Sequence, residues 1–455
     1  MAEWLGNGLQ NHVQRFESAR DLTYKSKTSN SFEVFLFELV MNRLLLFVIL
    51  SGVVLLFDIY AYQGLKVAIN GFPGMVQKIL KVTFWGLTVL TLLSFILYEP
   101  LSSSEKGRKV LMIIATIGVA NILGKFLFAL ILILDDIIRL GKYSWRKLNP
   151  SLAETEQGVS RNEFLASIGA VSAAIPLLTM GWGVLSGAHD YTVRKRKLKI
   201  KNLPSPFEGY KILQISDIHM GSFWSKPAVI KGVELINQQN ADAVFFTGDL
   251  VNNKANELDG WTDVFSKIQS KDGIFSVLGN HDYGDYVPWE NEQQKVDNLN
   301  TLVQRQRTEL GWDLLINESR RIIRGADSLC VIGIENWGAK GRFPKYGDMS
   351  KAMEGTEGES VKLLLSHDPS HWKEEIVKKY QDIDVMFSGH THGMQFGIEV
   401  GSVKWSPVKY FYPEWADLYK DGEQQLYVNR GFGYIGYPGR FGILPEISVF
   451  TLTKA

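Results

Sequence analysis

Residues 384–392 read DVMFSGHTH, a short apolar run that ends in a glycine and two histidines. Four other places in the C-terminal half of the chain repeat this arrangement of an apolar run and a polar motif. They are 211–216 before Asp217-Ile218-His219, 243–247 before Gly248-Asp249, 273–278 before Gly279-Asn280-His281-Asp282, and 361–365 before Ser366-His367-Asp368. Short β runs separated by helical stretches, from about Tyr210 onward, predict an α/β domain.

The five motifs are expected to converge on one site, because the carboxyl ends of strands in α/β sheets form the crevice that binds ligands. They supply aspartate, asparagine and histidine side chains, a mixed set that suits Mn, Fe, Zn or similar divalent ions. One ion cannot accept so many ligands, so two are implied. Glycines at 248, 279 and 389 allow tight turns and close backbone approach beside these side chains.

The histidines are specific as a set rather than singly. Any one of them would be explained most simply as a core residue with satisfied hydrogen bonds, yet five of the eight lie in these motifs. A lone D-x-H or G-D occurs by chance in many proteins. The ordered series D-x-H, G-D, G-N-H-D, H and G-H-x-H, each after an apolar run, is far more specific.

With this series the chain resembles the metallophosphoesterase (calcineurin-like phosphoesterase) superfamily over about residues 208–452. The tail segments LYVNRG, 426–431, and PGRFGILPEI, 438–447, are similar to the closing strands of its bacterial membrane-associated branch. The resemblance implies an α/β domain with a β-sandwich core flanked by helices. It also implies a metal-dependent hydrolase of phosphomonoesters or phosphodiesters.

The resemblance further implies a role for each motif residue. One metal ion would be bound by Asp217, His219 and His392, the second by Asn280, His367 and His390, and both by the bridging Asp249. His281 would be the general acid for the leaving alcohol. Asp282 either orients His281 or is a turn residue that satisfies nearby backbone amides, and both interpretations stay open.

The expected reaction is attack of a metal-activated hydroxide on a phosphoester. Two cations about 3.5–4 Å apart lower the pKa of a shared water and stabilise the attacking and leaving oxygens in line. No ligand of the series is missing, which argues against a scaffold that has lost its activity.

Several features outside the metal motifs bear on the substrate. Arg440, in the tail motif, is expected to contact substrate. Lys254 and the basic loop 340–345 could face an anionic group, although solvated surface charge is the simpler interpretation. The aromatic segment 405–419 either packs over the sheet or forms a lipid-facing rim. Residues 288–310 read as a helical insertion that could cap the cleft.

Four apolar segments precede this domain, at about 44–63, 82–98, 110–134 and 164–186. Each is long enough to cross a bilayer, which takes about 20 residues of helix. We therefore expect an N-terminal segment 1–43, an all-α region of four transmembrane helices over 44–190, and a catalytic domain over 191–455. Lys125, in the third segment, is expected to have no acidic partner in the spans and to snorkel or face a neighbouring helix.

The side of the membrane is harder to predict, because Lys and Arg near the spans are balanced between the two sides. The basic run 194–197 favours a cytoplasmic catalytic domain. By contrast, SRNEFL, residues 160–165, resembles a degraded twin-arginine export signal, with Asn162 in place of the second arginine. We expect a multi-pass protein of a bacterial cell membrane with an extracytoplasmic catalytic domain.

Composition narrows the partners. With 49 Lys+Arg against 48 Asp+Glu, the chain lacks the usual electrostatic reason to bind nucleic acid. The single cysteine, Cys330, excludes an internal disulfide and lies in an apolar run that predicts a buried thiol.

The expected partners are the lipid bilayer and a phosphoester, lipid-linked or from the cell envelope, since the domain follows a membrane span closely. The alternatives are a broad nucleotide phosphodiesterase, or a membrane transporter or scaffold with an accessory phosphoesterase domain. The oligomeric state stays open.

Overall fold

The computed structural model describes residues 30–102, 104–148, 162–340, 343–401 and 403–455. Most of the segment 1–43, Arg161 of the export-like motif and Arg342 of the basic loop lie outside the described residues. Two compact units are present. One comprises the described residues up to Ile96 together with Lys125–Ala170, and the other comprises Leu97–Gly124 with Val171–Ala455.

The N-terminal part of the described chain is helical, as its apolar segments predict. Its helices are α1 Asn30–Ala68, α2 Gly74–Ile96, α3 Tyr98–Ser102, α4 Glu105–Leu148 and α5 Glu163–Leu185. All except the short α3 are long and apolar enough to cross a membrane. With 44 residues, α4 is about 66 Å long, roughly twice the hydrocarbon thickness of a bilayer. The helix therefore continues through charged residues beyond the apolar segment that ends near 134.

Lys125 has an acidic partner, so the expectation that the spans contain none is wrong. Its Nζ lies 2.9 Å from Oδ2 of Asp58 in α1 and donates to Oγ1 of Thr88 in α2 at 2.6 Å. All three side chains are buried. The sequence-based expectation overlooked Asp58 because this single charge lies inside the otherwise apolar first segment.

The rest of the described chain forms an α/β domain. Its strands are β1 Thr192–Ile200, β2 Lys211–Ile215, β3 Ala243–Phe246, β4 Ile274–Ser276, β5 Asp313–Leu314, β6 Glu318–Arg324, β7 Asp327–Gly333, β8 Lys362–Leu365, β9 Val385–Ser388, β10 Ile398–Val400, β11 Val403–Trp405, β12 Asp417–Asp421, β13 Gln424–Val428 and β14 Glu446–Lys454. Its helices are α6 Lys226–Asn237, α7 Thr262–Phe265, α8 Glu292–Thr308, α9 Met349–Ala352 and α10 Val377–Lys379.

Twelve of these strands form two six-stranded sheets. Their orders are β1-β14-β2-β3-β4-β5 and β12-β13-β9-β8-β7-β6, while β10 and β11 form a separate hairpin. The inner strands β2, β3 and β4 pair in parallel, as do β7, β8 and β9. Such strands are apolar on both faces, because each face of the sheet is covered.

The two sheets share one apolar core. The rings of Phe245 in β3 and Phe387 in β9 lie 5.2 Å apart in a cluster that draws buried residues from both sheets. On the outer face of the first sheet, Val233 of α6 and Leu302 of α8 are buried. Trp372 is buried against the second sheet. This arrangement confirms the β-sandwich core flanked by helices.

The basic run 194–197 is part of the folded domain. It lies in β1, an edge strand, where Arg194 pairs with Glu399 at 2.7 Å and Arg196 pairs with Asp417 at 2.9 Å. Since these arginines have structural partners, they are a poor guide to membrane orientation.

Candidate metal centre

The five motifs follow five neighbouring strand ends. Motif 217–219 follows β2, Asp249 follows β3, motif 279–282 follows β4, His367 follows β8, and motif 389–392 follows β9. Because β2 to β4 are parallel neighbours in one sheet and β8 and β9 in the other, their carboxyl ends lie at one edge of the sandwich.

The first group of side chains that could hold a metal ion consists of Asp217, His219 and His392. Their candidate ligand atoms lie within 4.8 Å of one another. Nε2 of His392 is 3.0 Å from Nε2 of His219 and 3.2 Å from Oδ1 of Asp217. Two imidazole nitrogens and a carboxylate oxygen therefore converge on one small volume, which fits a divalent cation.

The second group consists of Asp249, His367 and His390, again with ligand atoms within 4.8 Å. Asn280 joins this group. Its Oδ1 lies 2.8 Å from Nδ1 of His390 and 3.2 Å from Nε2 of His367. The donor set is again mixed nitrogen and oxygen.

Asp249 lies between the two groups. Its Oδ2 is 3.2 Å from Nε2 of His367 in the second group and 3.6 Å from Nε2 of His219 in the first. Its Oδ1 accepts a hydrogen bond from the backbone N–H of His281 at 2.9 Å. One carboxylate is thus within reach of both groups.

The backbone around these side chains is held in an unusual conformation. Five residues of the two groups have left-handed φ angles, namely Asp217 at 51°, His219 at 52°, Asp249 at 60°, His390 at 72° and His392 at 51°. Such angles cost about 1–3 kcal/mol each in non-glycine residues and cluster at functional sites. The surrounding fold therefore stabilises these angles against their local cost.

Glycine is required where the ligand loops touch. A Cβ on Gly389 would lie 1.9 Å from Oγ of Ser216 and 2.2 Å from Oδ2 of Asp217. A Cβ on Gly279 would lie 2.2 Å from Oδ1 of Asp249. The close backbone approach predicted beside the ligands is therefore confirmed at both positions.

The buried carboxylates and histidines perturb one another. Burial alone would raise the pKa of Asp217, but His392 and His367 hold it below its usual value. Burial would lower the pKa of His367, yet Asp249 raises it to about 10. The pKa of His219 is lowered, mainly by burial. Burial would likewise raise the pKa of Asp249, but His367 and His281 hold it well below its usual value. Nearby positive charge thus favours the ionised form of both carboxylates, and a bound cation would supply such charge.

The contacts of His281 and Asp282 bear on the two interpretations that the sequence left open for Asp282. Nδ1 of His281 lies 2.8 Å from the backbone oxygen of Asn252. The carboxylate of Asp282 instead accepts four backbone N–H groups, from Asp249, Leu250, Val251 and Gly279, at 2.8–3.2 Å. These contacts favour the interpretation of Asp282 as a turn residue that satisfies nearby backbone amides. Asp282 braces the loops, and the carbonyl of Asn252 contacts the ring.

Arg440 is fully buried behind the first group. Its Nε and Nη2 donate to the carbonyl oxygen of Gly433 at 2.8 and 2.6 Å, and Nη2 lies 3.2 Å from Nδ1 of His392. Its predicted substrate contact is untested, and this geometry favours a role in positioning His392.

Two tyrosines beside the site were not predicted as site residues. The hydroxyl of Tyr412 is 2.9 Å from Nε2 of His390, and the hydroxyl of Tyr286 accepts from Nδ2 of Asn280 at 2.8 Å. The ring of Tyr286 also lies 4.4 Å from that of His281. Tyr412 belongs to the aromatic segment 405–419, whereas no local sequence pattern marks Tyr286.

The structure also gives the surroundings of Lys254, of the predicted helical insertion and of the aromatic segment. Lys254 lies over the ring of Trp289 at 5.0 Å, and the predicted helical insertion is α8. In the aromatic segment 405–419, Trp415 is buried whereas Tyr410 and Phe411 are exposed. The segment thus contributes both to packing and to an exposed edge.

Comparison with known proteins agrees with this geometry. Residues 210–394 match the family described as calcineurin-like phosphoesterase, and residues 42–188 match that described as probable calcineurin-like phosphoesterase, transmembrane domain. A Danio rerio transmembrane protein with metallophosphoesterase domain is 26% identical over 348 residues, which cover 74% of this chain and 72% of the relative. A Bacillus subtilis uncharacterized metallophosphoesterase is 26% identical over 65% of this chain and 98% of its own length. One from Helicobacter pylori is 30% identical over 53% of this chain and 59% of its own.

Proposed function

Because this chain belongs to the calcineurin-like phosphoesterases and carries their four-helix transmembrane domain, we propose that it is a membrane-anchored, dinuclear-metal phosphoesterase. Its substrates are phosphomonoesters or phosphodiesters, lipid-linked or from the cell envelope. The observation that carries the proposal is the position of Asp249 between two groups of nitrogen and oxygen ligands.

One set of residues in the centre would bind the metal ions, and another supports the loops that carry those ligands. Asp217, His219 and His392 would hold one ion, Asn280, His367 and His390 would hold the other, and Asp249 would be shared. Two bound divalent ions would activate a shared water and neutralise the phosphoryl oxygens. Asp282 keeps the Asp249 loop in place through its four backbone N–H contacts.

His281 donates the proton to the leaving oxygen. Its Nδ1–H is held by the carbonyl of Asn252, so protonation of the ring places the transferable proton on Nε2. The ring lies 5.0 Å from that of His219, which keeps the acid beside the first metal group.

The short connection between the membrane anchor and the catalytic domain supports the proposal that the substrate is bound at the membrane surface. Helix α5 ends at Leu185 and β1 begins at Thr192, with only a short turn over Gly187–His189 between them. The catalytic domain therefore begins immediately beyond a membrane span.

The proposal is tested with the full chain purified in detergent, stripped of metal and reconstituted with Mn²⁺, Zn²⁺ or Fe²⁺. The panel contains p-nitrophenyl phosphate, bis(p-nitrophenyl) phosphate, phosphatidic acid in mixed micelles and cyclic nucleotides. We expect metal-dependent hydrolysis, with lipid esters preferred over cyclic nucleotides. A preference for cyclic nucleotides would favour the nucleotide phosphodiesterase, and no hydrolysis with any metal would contradict the proposal.

We also propose that the catalytic domain is extracytoplasmic, on the basis of the export-like motif before α5. A reporter that is active only in the cytoplasm, fused after Ala455, should be inactive. Activity of that reporter would place the domain on the cytoplasmic side.

A further inference from the structure

The hairpin of β10 and β11 has its polar face toward the protein. Glu399, in β10, pairs with Arg194 at 2.7 Å and with the buried Arg430 at 3.0 Å. Its cross-strand partner Lys404 donates from Nζ to the carbonyl oxygen of Ala416 at 2.7 Å. Ion pairs and hydrogen bonds therefore fix this face onto the domain.

The opposite face of the hairpin is apolar and exposed. Ile398, Val400 and Val403 are 52%, 71% and 63% exposed, and the register places Val400 opposite Val403. Side chains alternate between faces along a strand, so these residues lie on the face opposite Glu399 and Lys404. A hairpin on a water-soluble domain normally has the reverse pattern, with its apolar face inward.

Hydrogen bonds connect the base of this hairpin to the membrane helix α5. The N–H of Gly397, just before β10, donates to the carbonyl oxygen of Phe441 at 2.9 Å. The next residue back, Arg440, donates from its backbone N–H to the carbonyl oxygen of Gly183 in α5 at 3.1 Å. All of these residues belong to the same compact unit.

The contact between α5 and residues 437–440, which we call the tail loop, is close. The hydroxyl of Tyr437 donates to the carbonyl oxygen of Met180 at 2.6 Å. A Cβ on Gly187, just after the helix, would lie 1.9 Å from the carbonyl oxygen of Arg440. The tail loop therefore packs directly on the last turns of α5. Trp182, exposed in those turns, is the type of residue that favours the membrane interface.

We propose that the outward face of this hairpin, formed by Ile398, Val400 and Val403, lies in the interfacial layer of the lipid bilayer. The bilayer is the occupant because α5, to which the hairpin base is connected, is itself a candidate membrane span. Exposed apolar side chains that adjoin one another are more typical of interaction sites than scattered ones are.

This docking goes beyond the proposed function but bears on it. Tyr410 and Phe411 are also exposed, and they directly precede Tyr412, whose hydroxyl contacts His390. The chain thus runs from two exposed aromatic residues to the metal centre within a few positions. A docked hairpin keeps this edge of the centre near the level of the lipid headgroups.

The test uses the full chain in nanodiscs of phosphatidylcholine that contains doxyl-labelled lipid. A bimane probe is attached at Val403→Cys and, as a matched control, at Ile323→Cys. Ile323 is 68% exposed in the edge strand β6 of the second sheet. The native Cys330 is buried, and labelling of the unsubstituted chain gives the background. We expect doxyl lipid to cause a loss of fluorescence at position 403 but not at 323.

If doxyl lipid reduces the fluorescence of both probes equally, or of neither probe, the docking is overturned. If the position-403 probe is instead shielded only as protein concentration rises, a second copy covers the hairpin and the bilayer proposal is also overturned. Hydrolysis of bis(p-nitrophenyl) phosphate by the same samples separates the two proposals. Lipid quenching without hydrolysis contradicts the catalytic function alone, whereas hydrolysis without quenching contradicts the docking alone.

Discussion

The guanidinium of Arg440 contacts His392 at two points. Nη1 donates to the backbone oxygen of His392 at 3.4 Å, and Nη2 lies 3.2 Å from Nδ1 of its ring. The backbone N–H of Arg440 donates in turn to Gly183 of α5. One buried residue therefore connects a predicted metal ligand, held at a left-handed φ, to a membrane helix.

We predict that Arg440→Met weakens metal binding in the first group. Methionine fills a similar volume but cannot hold the His392 backbone. Loss of such outer contacts costs about 10–100-fold in metal affinity or activity. The measurement is the metal concentration that gives half-maximal hydrolysis. Arg440→Lys, which keeps the charge, should recover part of the loss. Arg321→Ala, an exposed arginine in β6, is the control, and a metal dependence equal to that of the control would contradict the positioning role.

His281→Asn should leave metal content close to that of the unsubstituted chain while slowing the reaction selectively. Turnover of a methyl phosphodiester should fall by about 10²–10⁴-fold, because its leaving alkoxide needs a proton. Turnover of bis(p-nitrophenyl) phosphate should fall much less, since p-nitrophenolate leaves without one. Equal losses for both esters would remove His281 as the general acid.

Asp282→Ala should destabilise the domain. The substitution leaves four buried N–H groups without their acceptor, and each unsatisfied group costs about 1–3 kcal/mol. Chemical unfolding of the full chain in detergent, followed by tryptophan fluorescence, measures the change. Asp263→Ala, at an exposed carboxylate, provides the comparison. A free energy of unfolding no lower than in that variant would show that Asp282 does not brace the loops.

The buried pair Lys125–Asp58 should show strong coupling. Lys125→Met alone leaves a buried carboxylate without its cation, and breaking such a pair costs about 3–5 kcal/mol. Asp58→Leu alone has the converse effect. The double variant should be more stable than the sum of the two losses predicts, and thermal unfolding of all four chains in detergent tests this cycle. Strict additivity would mean that the two charges do not stabilise each other.

Much of the candidate centre could be predicted from the sequence because its ligands follow apolar strands in short motifs. Asp217 and His219 after β2 have one residue between them, as do His390 and His392 after β9, so local pattern and strand topology suffice. The same holds for the four apolar helices, whose composition alone predicts membrane spans. The ends of α4 escaped prediction because a helix can continue into charged sequence beyond the bilayer.

Contacts between distant segments could not be predicted in this way. Asp58 and Lys125 meet only when α1 and α4 pack together. Asp282 finds its amide donors mainly in the loop after β3, so its own motif gave no reason to choose between its two roles. The position of Arg440 likewise depends on how the tail folds back behind His392.

The proposed dinuclear centre shares Asp249 between its two ions. Its most direct test is metal analysis by mass spectrometry, combined with turnover of bis(p-nitrophenyl) phosphate, for the full chain and for Asp249→Asn, with Asp263→Asn as control. We predict two ions per chain and full activity in the unsubstituted and control proteins, and loss of both bound metal and turnover in Asp249→Asn. Two tightly bound ions with undiminished turnover in Asp249→Asn would contradict the account.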